Sequence, residues 1–331
     1  MIYNLLGVDI GGTKCAVTYG IKDNEQLKVV DKLQVATTNV TDTIDAIINL
    51  VDTIMLRHHL TKENTEAIGV SCGGPLNSKE GIILSPPNLP GWDNIPIVDI
   101  LYKCFEIKTN IQNDANACAL AEWQFGSGRG YNNLIFLTFG TGLGAGLILD
   151  GKLYTGTNDS AGEVGHIRLS DYGPVGYGKT GSFEGFCSGG GIAQLAKICL
   201  LEKVQMGEAV SWCKKENINN VTAKMVAEAA QAGDKLALDI FKATSIFLGK
   251  GLSVIIDLLN PEVIIIGSIY TRNESLMKPY VSEIIAHEAL SLSSKVCTIR
   301  TAALGENIGD YASLSVAANL IKGTNDKYYK T

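Results

Sequence analysis

Two stretches of the sequence share one pattern, an apolar strand that runs into a turn rich in glycine and threonine: Gly7-Val8-Asp9-Ile10-Gly11-Gly12-Thr13-Lys14 and Leu137-Thr138-Phe139-Gly140-Thr141-Gly142-Leu143-Gly144. A second strand-like run follows each turn, at residues 15–19 and 146–149. The pattern predicts two β-hairpins whose glycines let backbone N–H groups approach an anion closely. Two such hairpins facing each other would hold a nucleoside triphosphate between two domains.

Neither turn is one of the common phosphate-binding motifs. A P-loop has the form G-x-x-x-x-G-K-[ST] and opens a helix, whereas a strand-like run follows Gly12-Thr13-Lys14. Residues 140–145 match the permissive form of the dinucleotide fingerprint, but that fingerprint also opens a helix, and here a strand-like run follows. Both motifs are therefore excluded.

Length and composition indicate a two-domain α/β enzyme. The chain has 331 residues, of which 46% are hydrophobic and 36 are glycine, enough for two cores joined by many loops. The formal net charge is −6, and lysine and arginine form no cluster. Because binding to nucleic acid depends on a basic patch, we expect small-molecule ligands and no nucleic-acid partner.

The expected location is the cytoplasm. Eight cysteines are scattered without a C-x-x-C pair, as is typical of a reducing compartment. A strand-like run follows Met1 almost at once, so no signal peptide is expected. Residues 130–149 lack charge, but glycines interrupt them and their apolar part is shorter than the ~20 residues of a membrane span.

The order of elements predicts a duplicated fold. The first half reads as strands at about 2–10, 13–20, 27–36 and 66–72, with one helix at about 41–59, and the proline-rich stretch 73–96 is interpreted as a binding loop. The second half repeats this order from about residue 133, with helices at about 190–200, 222–232 and 234–258 and a strand at 263–267. We expect a smaller N-terminal lobe, residues 1–118 plus about 308–331, and a larger C-terminal lobe, residues 119–307.

Two acidic residues follow predicted strands. Asp9 ends the first strand, where an unpartnered carboxylate is costly; it is either a turn cap or, beside a phosphate hairpin, a group that reaches Mg²⁺ through water. Asn113-Asp114 stands where a strand gives way to an alanine-rich helix. This pair is either a helix cap or a functional pair, in which Asp114 takes the proton of an attacking hydroxyl and Asn113 binds a neighbouring hydroxyl.

A further polar set lies beyond the second hairpin. Glu163 and His166 are three residues apart, so that a helical turn would place them on one face, and Glu184 follows. Taken singly, such residues are most often surface groups. Their place in a glycine-rich segment just beyond a phosphate hairpin favours hydroxyl binding, as in a sugar site.

Eight short segments occur in the order found in a known family: Asp9-Ile10-Gly11-Gly12-Thr13-Lys14; Gly69-Val70-Ser71 with Gly74-Pro75; Pro87-Asn88-Leu89 with Trp92; Asn113-Asp114-Ala115-Asn116-Ala117; Gly140-Thr141-Gly142-Leu143-Gly144; Gly162-Glu163-Val164-Gly165-His166; Glu184 with Ser188-Gly189; and Ile264-Ile265-Ile266-Gly267. Over nearly its whole length the chain therefore resembles the bacterial sugar kinases of the ROK family, within the actin-like ATPase superfamily.

The resemblance implies an α/β, actin-like (ribonuclease H-like) duplicated two-domain fold, with ATP, Mg²⁺ and a sugar in the cleft between the domains. It implies that Asp114 is the catalytic base, and that the sugar is bound by Asn88, Asn113, Asp114, Glu163, His166 and Glu184. The nucleotide is expected at Asp9, Gly11, Gly12, Thr13, Lys14, Gly140, Thr141, Gly142 and Gly267. A homodimer is also expected.

One segment departs from the family pattern. The family holds a structural zinc with a C-x-C-G-x-x-G-C-x-E segment and the histidine of G-E-x-G-H, but here the three cysteines are replaced by Val175, Tyr177 and Ser182. His166 without thiolates cannot complete a tetrahedral site. We expect no structural zinc, and we expect Glu184 to be positioned by packing against Tyr177 and Phe183.

The expected activity is ATP-dependent phosphorylation of a hexose, with glucose as the acceptor at its C6 hydroxyl. Fructose, mannose, N-acetylmannosamine and N-acetylglucosamine stay open as alternative acceptors. A non-catalytic sugar-sensing regulator is the alternative from another class. The family's repressors carry an N-terminal helix-turn-helix domain, and because the first hairpin begins at Gly7, no such domain is expected ahead of it.

Overall fold

The structure is a computed structural model and describes residues 1–322. Its strands are β1 (Ile2–Ile10), β2 (Lys14–Asp23), β3 (Gln26–Ala36), β4 (Ala67–Cys72), β5 (Leu76–Asn77), β6 (Ile82–Ile83), β7 (Thr109–Asn113), β8 (Leu134–Phe139), β9 (Leu143–Leu149), β10 (Lys152–Tyr154), β11 (Val175–Gly176), β12 (Lys179–Thr180), β13 (Val263–Ile266) and β14 (Thr298–Thr301). Its α-helices are α1 (Val40–Arg57), α2 (Ile97–Phe105), α3 (Asp114–Phe125), α4 (Phe183–Phe186), α5 (Gly189–Gln205), α6 (Ala223–Gln231), α7 (Lys235–Leu259), α8 (Ile269–Arg272), α9 (Glu274–Glu288), α10 (Ser291–Ser294) and α11 (Ile308–Lys322).

The chain forms two compact units. The first contains residues 1–130, 146–161 and the described residues from Ala303 onward, and the second contains residues 131–145 and 162–302. The expected lobes, residues 1–118 plus 308–331 and residues 119–307, stay a prediction, and residues 323–331 of the smaller lobe lie outside the described part of the chain.

Two five-stranded sheets have the same strand order. The first sheet reads β3-β2-β1-β4-β7 and the second reads β10-β9-β8-β13-β14. In each sheet a hairpin is continued by parallel strands: β1 pairs antiparallel with β2 and parallel with β4, and β13 pairs parallel with both β8 and β14. The duplicated α/β fold that the order of elements predicts is therefore confirmed.

Both hairpins form where the glycine patterns predict them, β1 with β2 and β8 with β9. The central strands are fully buried runs of apolar residues, as expected for sheets covered on both faces. Helix α1 begins at its cap Asn39, whose side chain accepts the Asp42 N–H at 3.0 Å, and it buries the apolar stripe Ile44, Ile47, Val51 and Ile54. This packing fixes the first sheet, and with it the end of β1.

Glycines let helix α11 approach the first sheet closely. A Cβ atom at Gly7 would meet Ser313, and one at Gly69 would meet the backbone of Ser313 and Ala317. The surface through which α11 contacts the first sheet continues into a cluster of buried apolar side chains that includes Leu5, Ala67, Leu314 and Ala317. The helix thereby supports the strands that end at the predicted phosphate-binding turn.

A buried carboxylate fixes the end of α3. Glu122 is fully buried, and its two oxygens accept the backbone N–H groups of Ser127 at 2.7 Å and Leu304 at 2.9 Å. Two backbone donors are what a buried carboxylate needs to offset its desolvation. Within residues 1–322, no helix is both long enough and apolar enough to cross a bilayer.

Candidate active site

The predicted site residues fall into two sets, one in each unit. Asp9, the turn at residues 11–14, Asn88 and Asn113-Asp114 belong to the first unit, whereas the turn at residues 140–142, Glu163, His166, Glu184 and Gly267 belong to the second. The residues of the first set lie around the ends of β1, β4 and β7. These strands run parallel and so finish at one edge of their sheet.

Asp9 stands one residue before the end of β1, opposite Ala16 of β2 and Ser71 of β4. The turn that follows is closed by a hydrogen bond of 3.2 Å from the Gly11 N–H to the Lys14 carbonyl oxygen. Residues 12–14 are exposed. The turn therefore presents backbone and the Lys14 side chain to a ligand, as the sequence predicts for a phosphate site.

The carboxylate of Asp9 is electrostatically unfavourable when ionised. Burial is the largest cause and, together with the negative charges of Asp114 and Asp310, raises its pKa to about 6, against the opposing effect of Lys32 and Lys14. Lys32 is itself paired with Asp310. A carboxylate held among other carboxylates is a suitable neighbour for a divalent cation.

Asp114 is the first residue of α3, and Asn113 is the cap. The Asn113 side chain accepts the Asn116 N–H at 2.8 Å, and Asp114 Oδ1 accepts the Ala115 N–H at 2.8 Å. The Asp114 side chain reaches solvent, yet desolvation by the surrounding protein raises its pKa, partly offset by the Ala115 hydrogen bond.

The cap and base interpretations thus apply to different residues. Asn113 caps the helix, as the simpler interpretation of the pair has it, and Asp114 stands beside the cap with a raised pKa. A carboxylate whose pKa is raised takes up a proton more readily than an ordinary aspartate. The geometry leaves Asp114 suited to the role of a general base.

Asn88 lies against the first hairpin turn. Buried Leu89 and Trp92 anchor its loop in the core, so that Asn88 itself is exposed. A Cβ atom at Gly12 would collide with the Asn88 carbonyl oxygen, and one at Gly73 would lie 3.1 Å from its side-chain Oδ1. Glycine at both positions allows the loop to place Asn88 next to the turn.

In the second unit, the turn at residues 140–142 joins β8 to β9. The Gly140 N–H donates to the Gly142 carbonyl oxygen at 3.1 Å, and the Gly140 carbonyl oxygen accepts the Gly189 N–H at 2.8 Å. Gly189 begins α5, so the turn is tied to the N-terminus of that helix. A helix N-terminus next to a glycine turn is a favourable place for phosphate oxygens.

The predicted hydroxyl-binding residues surround the start of β9. The Ala145 N–H donates to the Gly162 carbonyl oxygen at 3.0 Å, and a Cβ atom at Gly165 would meet the Leu143 carbonyl oxygen. Glu163 and His166 flank a single 3₁₀ turn on this segment, and both are exposed. The second unit therefore brings Glu163 and His166 to the same hairpin that carries the turn at residues 140–142.

Glu184 is held by that hairpin directly. Its Oε2 accepts the Leu143 N–H at 3.0 Å, and it belongs to α4, whose cap Ser182 accepts the Gly185 N–H at 3.1 Å. The expected packing of Glu184 against Tyr177 and Phe183 stays a prediction: Phe183 is buried, and the Tyr177 ring contacts His166, with ring centroids 5.6 Å apart. The hydrogen bond to Leu143 could not be read from the sequence, since it joins residues 41 positions apart.

A cavity of about 770 Å³ opens beside Gly140 and Thr141. Its walls combine apolar side chains with a few charged and amide groups from α5, α6 and α8, including Val221, Lys224, Glu228, Gln231, Ile269, Arg272 and Asn273. Apolar walls with few polar groups are typical of ligand pockets. Gly267 precedes two of the lining residues, Ser268 and Ile269, without lining the cavity itself. The sequence pattern gave no sign of the α6 residues.

The zinc site of the family does not fit the residues that replace it. Val175 offers no metal-binding atom, Tyr177 offers a phenol instead of the thiolate, imidazole or carboxylate that binds structural zinc, and the hydroxyl of Ser182 is engaged in capping α4. Within residues 1–322, no group of three or more His, Cys, Asp or Glu side chains is arranged to hold a metal ion. That the protein is free of zinc stays a prediction.

Comparison with known proteins shows the family to which the chain belongs. The chain belongs to the ROK family, whose sequence profile matches residues 5–322. A glucokinase from Halalkalibacterium halodurans is 32% identical over 310 residues, which is 92% of each chain. The transcriptional repressor Mlc of Escherichia coli is 27% identical over 282 residues, 85% of this chain and 66% of the repressor.

A solved structure is similar as well. The ROK family glucokinase from Streptomyces griseus, in complex with glucose and AMPPNP, superposes with a TM-score of 0.74 at 28% identity, over 96% of this chain and 99% of the other. The resemblance to ROK sugar kinases and the actin-like fold, both expected from the sequence, are thereby confirmed.

Proposed function

We propose that the protein is an ATP-dependent hexose kinase that transfers the γ-phosphoryl group to the C6 hydroxyl of glucose. The observation that carries the proposal is the position of Asp114, a carboxylate with a raised pKa in the first turn of α3 and close enough to Asp9 to raise its pKa. The similarity to glucokinases over nine-tenths of the chain supports glucose as the acceptor.

Asp114 accepts the proton of the attacking sugar hydroxyl in this mechanism. Phosphoryl transfer has a loose transition state, so that positioning and charge stabilisation contribute most of the rate and a modest base is sufficient. The proton is assigned to Oδ2 of the carboxylate, because Oδ1 accepts the Ala115 N–H. Asn113, whose oxygen caps α3, can offer its amide N–H to a neighbouring sugar hydroxyl.

The charges around Asp9 fit a hydrated magnesium ion. Asp9 is half-buried and its ionised form is disfavoured by Asp114 and Asp310, and Mg²⁺ is usually held by one or two carboxylates while it retains several waters. When bound, Mg²⁺ neutralises charge on the phosphates. Asp9 would hold it through water, and Lys14 would face the phosphates from the exposed turn.

The phosphates and the remaining nucleotide are assigned to the glycine turns and the cavity. Backbone N–H groups of residues 12, 13, 141 and 142 are the proposed phosphate donors, because those of Gly11 and Gly140 already donate to carbonyl oxygens within their own turns. The cavity beside Gly140 and Thr141 has room for a nucleoside, with apolar walls at Val221 and Ile269 and polar groups at Lys224 and Arg272. The likeness to a glucokinase bound to AMPPNP supports this assignment.

The sugar hydroxyls are assigned to residues from both sets. Glu163, Glu184 and Asn88 provide acceptors, and His166 provides either a donor or an acceptor. Each hydroxyl that is read by a buried partner adds discrimination against an analogue without it. The proposal also includes cytoplasmic location, a homodimer and no nucleic-acid partner, all of which stay predictions.

The alternatives are a regulator and a kinase for another sugar. The similarity to Mlc favours the first, whereas the raised pKa of Asp114 beside Asp9 favours catalysis. A coupled assay of ADP release with glucose, fructose, mannose, N-acetylmannosamine and N-acetylglucosamine tests the proposal, with Asp114→Asn as the control for contaminating kinases. The highest kcat/KM should be for glucose. Absence of ADP release with every sugar, despite sugar binding, would favour the regulator.

A further inference from the structure

A short ribbon stands next to His166 in the second unit. Strands β11 and β12 pair antiparallel, with Gly176 opposite Lys179, and the two residues between them, Tyr177 and Gly178, both have positive φ, 43° and 75°. A two-residue hairpin of this kind favours Asn or Gly at its first position. An aromatic residue rarely adopts this left-handed conformation, so Tyr177 is held there against its own preference.

Side chains from two helices anchor the ribbon. Gln194 of α5 makes two hydrogen bonds to the backbone of Val175: it accepts the Val175 N–H at 2.9 Å and donates to the Val175 carbonyl oxygen at 2.8 Å. Ser182, the cap of α4, donates to the Gly176 carbonyl oxygen at 3.3 Å. The ribbon is thus attached to the two helices that flank the predicted site, and its position is fixed without any metal ligand.

The anchored ribbon contacts His166 twice. The Tyr177 ring meets the His166 imidazole edge to face, with an interplanar angle of 86°, and Lys179 Nζ donates to the His166 carbonyl oxygen at 2.8 Å. The Tyr177 side chain is 69% exposed, so burial in a core does not explain a tyrosine at a strained position. The contact with His166 does explain it.

We propose that residues 175–180 form a metal-free brace in which Tyr177 is a positioning residue that orients the His166 imidazole toward the sugar. The three positions where the family has zinc-binding cysteines carry parts of this brace: Val175 is clamped by Gln194, Tyr177 rests on His166, and Ser182 joins the ribbon to α4. The sugar-facing part of the inference rests on the proposed function. The orientation of His166 by Tyr177 does not.

Two substitutions separate positioning from fold support. Tyr177→Gly removes the ring and also relieves the unfavourable φ, so its Tm should equal or exceed that of the wild type while glucose binds about twofold to tenfold more weakly, the range expected for one aromatic contact. Tyr177→Phe keeps the ring and should bind glucose like the wild type. Wild-type glucose affinity in Tyr177→Gly, or the same loss in Tyr177→Phe, would overturn the role of the ring.

Two controls complete the experiment. Adding Tyr177→Gly to His166→Ala should cause no further loss of glucose affinity, because the residue that Tyr177 orients is already gone; an additive loss would overturn the proposal. The wild type should contain no stoichiometric zinc on metal analysis and should keep its Tm in the presence of a chelator. Stoichiometric zinc would overturn the metal-free brace.

A readout without sugar keeps this inference separate from the proposed function. Four histidines are present, and the His166 ring resonances can be assigned in NMR spectra by their absence from His166→Gln. These resonances should move in Tyr177→Gly and stay in place in Tyr177→Phe, since an aromatic ring in contact shifts the resonances of nearby protons. If they move while glucose fails to bind even to the wild type, the brace stands and the choice of sugar is wrong; unmoved resonances would overturn the brace.

Discussion

Glu184 Oε2 accepts the backbone N–H of Leu143 at a distance of 3.0 Å. The bond joins a predicted sugar-binding residue to the residue that follows the turn at residues 140–142. It therefore holds the Glu184 carboxylate against that turn within the second unit. A Cβ atom at Gly142 would lie 2.8 Å from the same oxygen. The position of Glu184 thus depends on a glycine whose first expected role is to expose backbone N–H groups.

Gly142→Ala should therefore raise KM for the sugar as well as for ATP. The new methyl group would press on the Glu184 carboxylate and lengthen its bond to the Leu143 N–H, a loss of about 1 kcal/mol or more, or roughly fivefold in kcat/KM. Initial rates with each substrate varied in turn measure both constants. Gly140→Ala is the matched comparison, because its Cβ would lie 3.8 Å from Ser268 Oγ, an ordinary contact. A sugar KM raised equally by both variants would contradict this account.

Asp114→Asn should leave sugar affinity nearly unchanged and lower kcat by about 10²-fold or more, the usual contribution of a general base. The wild-type rate should also fall as the pH is lowered, and at a higher pH than for an ordinary aspartate, because burial raises the pKa of Asp114. Steady-state rates as a function of pH, together with direct sugar titration, test both statements. Near wild-type turnover in the variant would leave Asp114 with a structural role beside the cap Asn113.

Glu163→Ala and His166→Ala should raise KM for the sugar far more than KM for ATP. Each truncation removes one partner of a proposed hydrogen bond to the sugar, which costs on the order of 1–3 kcal/mol, or about tenfold to a hundredfold in kcat/KM. The ATP phosphates are assigned to the glycine turns, so ATP binding should change little. Equal losses for both substrates would indicate that this segment supports the fold of β9 rather than the sugar.

Asp9→Asn should stabilise the protein at neutral pH in the absence of Mg²⁺ and nucleotide. The folded-state pKa of Asp9 is raised from 3.8 to about 6, so its contribution to stability is fully present below about pH 4 and is lost as the pH rises through about 6. The neutral amide avoids that loss, which amounts to as much as about 3 kcal/mol at pH 7.5, and the gain in Tm should shrink between pH 6 and pH 4.

Thermal unfolding across this pH range tests the prediction. Asp52→Asn, which changes an exposed aspartate on α1, is the matched control and should show no such gain. A destabilised Asp9→Asn at pH 7.5 would mean that the attraction of Lys32 and Lys14 for the Asp9 carboxylate outweighs its desolvation and its repulsion by Asp114 and Asp310. The same variant should respond less to Mg²⁺ if Asp9 is the group that reaches the ion.

Local patterns in the sequence were enough to predict the elements that carry the site. The turn at residues 11–14, the cap at Asn113 and the start of α3 depend on residues only a few positions apart, because their closing and capping hydrogen bonds act within one turn. The bounds of α1 and α7 followed from the spacing of apolar residues, which is also a local pattern. The family's ordered motifs extended these local signals to the fold.

Only the tertiary structure decided how distant residues meet. The bond from Leu143 to Glu184, the contact of Tyr177 with His166, and the α6 walls of the cavity join segments far apart in the chain. No periodicity encodes such contacts, because they depend on how completed elements pack. The raised pKa of Asp9 is of the same kind: the sequence determined that a carboxylate stands near the end of β1, and only the folded structure determined that burial and the charges of Asp114 and Asp310 disfavour its ionised form.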